Sequence, residues 1–275
     1  MHLNPIQLFD TESSTFTYIL SAPGSREAVI IDPVDRQLER IVFYTVPNSK
    51  SIEARAFDLG KNAGTFQVSP DRRHLFVLSS GVFPREKEDD EKPQLQVFSG
   101  DSDAEKPRVY EFDDPKQSLA IDPENRWVAA FAGEATVTNP NEIVLLDLSK
   151  KDAKPVSKTI RSFGGAPVEL VFTSELAVPR GEPRRFLVVR TDRDVTLIDL
   201  EHLDREEVTV KLPEDDNGVP RVPKQIVFDD GDPDDDGDAR IGILLENTSD
   251  VVLLQLSEPI ANDKDFFVGV NIVDV

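Results

Sequence analysis

The chain repeats itself. A short apolar run, a turn rich in proline, aspartate and arginine, and a second apolar run recur as a unit. Phe66-Gln67-Val68 passes through Ser69-Pro70-Asp71-Arg72-Arg73-His74 into Leu75-Phe76-Val77-Leu78. Leu119-Ala120-Ile121 passes through Asp122-Pro123-Glu124-Asn125-Arg126 into Trp127-Val128-Ala129-Ala130-Phe131. Leu170-Val171-Phe172 and Arg185-Phe186-Leu187-Val188-Val189 flank a longer turn, and Ile226-Val227-Phe228 and Ile241-Gly242-Ile243-Leu244-Leu245 flank an acidic one. The copies start at 66, 119, 170 and 226, in steps of 53, 51 and 56. Each is followed by a third run (95–98, 143–148, 195–200, 251–256) and a fourth (108–112, 158–163, 207–212, 266–273). Several fourth runs alternate polar and apolar residues, as a half-buried outer strand does. The inner runs are more continuously apolar, as strands buried on both faces are. Four short strands per unit at this period predict an all-β chain built as a β-propeller.

The first 65 residues fit a fifth unit. Residues 15–20 and 27–31 form a hairpin, with 41–46 and 52–57 as its third and fourth strands, and Phe16 lies 50 residues before Phe66. About five four-stranded repeats result, which leaves both a closed ring and part of a larger one open. The 20 prolines fall mostly between runs and forbid long helices. One helix is expected, from Asp32 to about Phe43, with Asp32 as N-cap and Pro33 in the first turn.

Composition excludes several classes. Lys plus Arg is 31 against 52 Asp plus Glu, a net charge of −21, so phosphate backbones and anionic membranes are repelled. Without cysteine there is no disulfide framework, thiolate zinc site or cysteine nucleophile. No signal-like or spanning segment is visible, so the chain is expected to be soluble, in a compartment that the sequence leaves open.

The turns Ser69-Pro70-Asp71-Arg72-Arg73-His74 and Asp122-Pro123-Glu124-Asn125-Arg126-Trp127, each before an apolar strand, make residues 41–275 resemble YVTN-type and lactonase-like propellers. That resemblance implies a fold shared by binding proteins and enzymes. Residues 7–40 resemble something else. Gln7-Leu8-Phe9-Asp10, Ser13-Ser14-Thr15-Phe16-Thr17-Tyr18-Ile19-Leu20 and Arg26-Glu27-Ala28-Val29-Ile30-Ile31-Asp32-Pro33-Val34 look like the opening of persulfide dioxygenases and related metallo-β-lactamase-fold hydrolases. The His-x-His-x-Asp-His metal motif of that family is absent, and His2, His74 and His202 are isolated in sequence. The expected organisation is an N-terminal segment, 1–40, either a metallo-β-lactamase-like start or the first hairpin of blade one, followed by propeller repeats over 41–275.

Candidate sites are few. Asp232-Pro233-Asp234-Asp235-Asp236-Gly237-Asp238 matches D-x-D-x-D-G, which makes Asp232, Asp234, Asp236 and Asp238 candidate calcium ligands. The bidentate acid expected at the twelfth position is replaced by Ile243, so a solvated acidic tip or weak calcium binding is expected, and no other cofactor. Arg85–Lys92 reads as an exposed charged loop. Arg72-Arg73 and Arg184-Arg185 read as surface turn residues, and Trp127 as core. No Gly-x-Ser-x-Gly elbow, P-loop or dinucleotide fingerprint occurs. The leading expectation is a non-catalytic binding or scaffold protein whose ligand or partner is open. The alternatives are a metallo-β-lactamase-fold hydrolase or sulfur dioxygenase remnant lacking its metal site, and a lactonase-like propeller hydrolase.

Overall fold

A computed structural model describes the chain except residues 1–5, 11–14, 22–26, 32–39, 49–50, 100–105, 134–136, 151, 216, 230–239, 259–265 and 275. It is an all-β chain of consecutive antiparallel meanders. The first sheet has five strands, β1 (Ile6–Asp10), β2 (Thr15–Ser21), β3 (Glu27–Ile31), β4 (Arg40–Asn48) and β5 (Ser51–Asp58), in chain order. Four four-stranded sheets follow. One comprises β6 (Ala63–Val68), β7 (His74–Ser79), β8 (Gln94–Ser99) and β9 (Arg108–Glu111). The next comprises β10 (Ser118–Ile121), β11 (Trp127–Phe131), β12 (Glu142–Asp147) and β13 (Val156–Thr159). Then come β14 (Glu169–Phe172), β15 (Phe186–Arg190), β16 (Asp194–Asp199) and β17 (Val208–Lys211). The last comprises β18 (Pro223–Asp229), β19 (Arg240–Leu245), β20 (Asp250–Ser257) and β21 (Phe267–Asp274). The four four-stranded sheets are blades of the propeller type and coincide with the repeats read from the sequence, whereas the first sheet adds β1 to the four strands expected there.

Burial follows position in the blade. The second strands β7, β11 and β15 are buried almost end to end, while the first strands β6 and β10 are half-buried and the fourth strands β9 and β13 largely exposed. Continuous apolar runs such as Phe186-Leu187-Val188-Val189 therefore mark strands covered on both faces. Two compact units divide the chain: Met1–Thr138 with Asp147–Pro155, and Asn139–Leu146 with Val156–Val275. In the first, Ile41, Leu75, Val77 and Phe98 form a buried cluster with Phe57 and Phe66 packed against it. In the second, Phe186, Val188, Leu197, Ile241, Ile243, Val252 and Leu254 belong to one larger cluster.

Two expectations are corrected. The helix ending near Phe43 does not form over residues 40–43, which lie in β4 and pair with both β3 and β5; residues 32–39 lie outside the described residues. Ile41-Val42-Phe43-Tyr44-Thr45-Val46 is dominated by β-branched and aromatic residues, and two strand partners outweigh a helical spacing. The fourth strand of the second repeat, expected over 158–163, is Val156–Thr159, and Phe163 lies in the loop after it.

Candidate functional site

The hairpin turns between first and second strands share one bonding frame. In Ser69–His74 the Ser69 N–H donates to the His74 carbonyl at 2.9 Å, and the His74 N–H donates to Ser69 Oγ at 2.9 Å. Asp71 accepts from Ser69 Oγ at 2.5 Å and from the Arg73 N–H at 3.0 Å. In Asp122–Trp127 the Asp122 N–H donates to the Trp127 carbonyl at 2.9 Å, and its carboxylate accepts from the N–H groups of Glu124 and Arg126. The fourth residue of each turn adopts positive φ, 62° at Arg72 and 60° at Asn125. In the third blade the Thr173 N–H donates to the Phe186 carbonyl at 2.9 Å, and the Phe186 N–H donates to Thr173 Oγ1 at 2.9 Å, so the same frame closes around a longer insert. Ser69, Asp122 and Thr173 are all buried, as turn-closing polar groups should be once their bonds are made.

Inside the long turn the sequence expectation fails. Arg184 and Arg185 are 5% and 4% exposed, whereas Arg72 and Arg73 lie in the exposed turn as expected. Arg184 Nη1 meets Asp199 Oδ2 at 3.0 Å, with both side chains nearly sealed from water. Leu176 and Arg184 exchange both main-chain hydrogen bonds, and Leu176 and Val178 enter the core. The insert therefore folds inward as a small hairpin, and two apolar anchors carry the arginines under cover. Trp127 is buried at 6% exposure, as expected of core. Residues 85–89 of the charged loop are exposed as expected, whereas 90–92 are half-buried.

The arrangement best suited to contact lies between the second and third repeats of four strands, in the loop from Ile160 to Val168. Asp194 is fully buried, and its Oδ2 accepts from Ser162 Oγ at 2.8 Å and from the Phe163 N–H at 2.6 Å. Its Oδ1 accepts from Thr191 Oγ1 at 2.9 Å, and Thr191 Oγ1 in turn accepts from the N–H groups of Arg193 and Asp194. Gly164 has φ of +117°, and a Cβ on Gly165 would stand 2.3 Å from Asp192 Oδ1 and 2.5 Å from Thr191 Oγ1. The loop is thus seated tightly on the Thr191–Asp194 turn. It nevertheless holds Phe163 outward at 56% exposure, with Val168 at 52%. An aromatic side chain on a main chain already fixed loses little entropy on binding. Sequence reading took Phe163 for a strand residue; the signal available was Gly164-Gly165, a pair that ends a strand and permits close approach.

A cleft of about 210 Å³ opens among Gly64, Thr65, Leu78, Ser80, Lys116 and Gln117, with Lys116 1% exposed. Thr65 Oγ1 donates to the Gln117 carbonyl at 2.6 Å and ties the two first strands together there.

The shifted carboxyls serve structure. Burial pushes Asp71 up, but the bonds from Ser69 and Arg73 and the charges of His74 and Arg73 bring it below the usual aspartate value. Burial likewise raises Asp147, and the bonds from Lys150 and Ser149 bring it below. Asp90 is lowered by the N–H groups of Lys87 and Glu86, and Asp215 by those of Val219 and Asn217. Each stabilises a loop as an ionised acceptor. Asp232, Asp234, Asp236 and Asp238 lie outside the described residues. Among the described residues no group of three or more His, Cys, Asp or Glu is placed to hold a metal ion, and no helix is long and apolar enough to cross a membrane.

No protein-family model and no curated protein matches the chain. Among solved structures it is similar to a functionally unknown protein from Desulfotomaculum acetoxidans, at 12% identity and TM-score 0.43, covering 98% of this chain and 75% of that one. It is similar to a putative 6-phosphogluconolactonase from Bacteroides fragilis at 8% identity and TM-score 0.42, covering 98% and 77%. It is also similar to Sqt1 from Chaetomium thermophilum at 12% identity and TM-score 0.47, covering 95% and 64%. Likenesses of this degree carry no function across, and the blade assignment rests on the sheets described above.

Proposed function

We propose that the chain is a non-catalytic binding module of propeller blades that engages a partner polypeptide through the 160–168 loop. The observation that carries this reading is Phe163, more than half exposed on a main chain held by the fully buried Asp194. Aromatic anchors presented rigidly are what binding hot spots are made of. The described buried carboxylates Asp122, Asp194 and Asp199 are occupied with main-chain N–H groups, hydroxyls and a guanidinium of their own blades. That favours binding over the lactonase-like alternative, which needs acidic groups turned toward a substrate. The metallo-β-lactamase alternative for residues 7–40 has no support from the comparisons, and β3 and β4 pair across residue 40, where that likeness stops. At a net charge of −21 the reading admits neither nucleic acid nor an anionic membrane as partner.

A photo-crosslinking residue in place of Phe163 should capture a discrete polypeptide that the same group in place of exposed Arg73 does not. Turnover of lactones or esters by the purified chain, with or without calcium, would overturn the reading. The Asp232–Asp238 turn is proposed as a weak calcium site at most. A melting midpoint that rises with calcium and not with sodium chloride of matched ionic strength, and that stops rising in an Asp234→Ala, Asp236→Ala double variant, would establish it.

A further inference from the structure

The loop before the last sheet carries a pair of residues that can react with each other. Asn217-Gly218 is the only Asn-Gly pair in the chain. Asn217, Gly218 and Val219 are exposed, and Gly218 has φ of +77°. An asparagine followed by glycine can close on itself, because no Cβ shields the glycine nitrogen. The Gly218 nitrogen loses its proton and bonds to Asn217 Cγ. The Cγ–Nδ2 bond breaks, and Nδ2 leaves with a proton as ammonia. Water then opens one of the two C–N bonds of the cyclic imide. One opening gives aspartate, and the other gives isoaspartate, whose main chain runs through Cβ and Cγ. Water is the only co-reactant, and nothing is oxidised or reduced.

In the folded turn this closure is obstructed. Three consecutive N–H groups end on Asp215. Those of Asn217 and Val219 donate to Asp215 Oδ1 at 2.9 and 2.8 Å, and that of Gly218 donates to the Asp215 carbonyl at 2.9 Å. The Asp215 N–H returns a bond to the Val219 carbonyl at 2.9 Å. Ring closure needs the attacking nitrogen and the carbon aligned and in contact. To get there the Gly218 nitrogen must leave its acceptor, and the peptide unit that it belongs to must turn between two neighbours fixed to the same residue. The Val219 and Asn217 N–H groups also hold the Asp215 carboxyl below the usual aspartate value, so it is ionised at neutral pH. The nitrogen that attacks becomes negative beside that charge, which opposes the step. Arg221 clamps the stem of the loop, donating to the carbonyls of Pro213 and Glu214 and pairing with Asp250 at 3.2 Å. We infer that Asn217-Gly218 is a self-modification site yielding aspartate and isoaspartate, and that Asp215 keeps it closed for as long as the turn is folded. Local opening of the turn releases it, with no need to unfold a blade. Either product sets a second carboxylate against Asp215, so the opened form persists. The site does not involve the 160–168 loop.

The test uses the full chain and the free peptide 212–221 that trypsin releases from it. Both are kept warm at neutral pH, and chromatography with mass spectrometry follows the asparagine, aspartate and isoaspartate forms of that peptide. Conversion in the chain should be at least about tenfold slower than in the free peptide, the worth of a hydrogen bond to a charged group. Asp215→Ala should speed conversion in the chain at least about tenfold and leave the rate in the free peptide unchanged. Glu214→Ala, which leaves the three N–H bonds in place, should convert like the unaltered chain. A far-UV spectrum and a melt verify that both variants are folded. Equal rates in chain and peptide, or an Asp215→Ala chain no faster than the unaltered one, would overturn the inference. So would a Glu214→Ala chain as fast as Asp215→Ala, because looseness of the loop would then set the rate and the bonds to Asp215 would not.

Discussion

The chain contains two Arg-Arg pairs in equivalent hairpins, and they live in opposite environments. Arg72-Arg73 closes a six-residue turn in water, while Arg184-Arg185 ends a fourteen-residue one in the core. The closing frame is the same, one main-chain bond and one bond to the oxygen of Ser69 or Thr173. What differs is what fills the turn. Between Ser69 and His74 there is only Pro-Asp-Arg-Arg, whose charges can stay solvated. Between Thr173 and Phe186 stand Leu176 and Val178, whose burial draws the returning arginines inward. A buried guanidinium then requires a carboxylate, and Asp199 at the end of β16 supplies it.

The largest expected effect breaks this contrast. Arg184→Ala leaves the nearly sealed Asp199 carboxylate without its charge partner, with only the Glu201 N–H on its other oxygen, and should cost about 3–5 kcal/mol, whereas Arg72→Ala and Arg73→Ala should each stay within about 0.5 kcal/mol. Urea unfolding measures all three. Combining Arg184→Met with Asp199→Leu should recover most of the loss, because two apolar groups remove both desolvation penalties. If the single and double variants are equally unstable, the pair is not what holds the insert.

Next in size is the frame itself. Thr173→Val leaves the N–H of the fully buried Phe186 without its acceptor and should cost about 1–3 kcal/mol. Ser69→Ala should cost less, since the His74 N–H is nearer to water and can be hydrated. Equal losses would mean that the two frames are equally covered.

The same contrast marks how far the sequence could be read. Blade boundaries were legible because each needs two adjacent apolar runs closed by a turn, a local pattern; Ser69, Asp122 and Thr173 even stand 53 and 51 residues apart, as the repeats do. The burial of Arg184 was not legible, because it depends on Asp199, fifteen positions on and in another strand. The seat of Phe163 on Asp194 was hidden for the same reason, since the acceptor lies thirty-one residues away. The end of the expected helix shows the other limit: an apolar spacing near Ile41 fits a helix, and for residues 40–43 only pairing with β3 and β5 decides for a strand.

A smaller effect sharpens the comparison between the two short turns. Arg72 and Asn125 hold the same left-handed conformation, which costs asparagine less than arginine. Arg72→Gly should therefore stabilise the chain by up to about 1 kcal/mol, while Asn125→Ala should destabilise it by a similar amount. A thermal melt reads both, and a loss of stability in Arg72→Gly would mean that the arginine side chain contributes more than its backbone costs.

The smallest effect is one of pH, and it belongs to the solvated turn alone. Asp71 sits below its ordinary value: burial opposes this, but the Ser69 hydroxyl, the Arg73 N–H and the neighbouring positive charges outweigh it. A carboxyl whose folded value is depressed adds stability that is fully present above its unfolded value, near pH 3.8, and that disappears as pH falls through the folded value. The turn is open to water, so screening keeps the contribution small. Asp71→Asn should accordingly lower stability at neutral pH, and its difference from the unaltered chain should shrink once the pH falls below about 4. Urea midpoints of the two proteins, measured from pH 7 down to the acid transition, follow that difference. A difference that stays constant across the range would show that the hydrogen-bond geometry of the side chain matters and its charge does not.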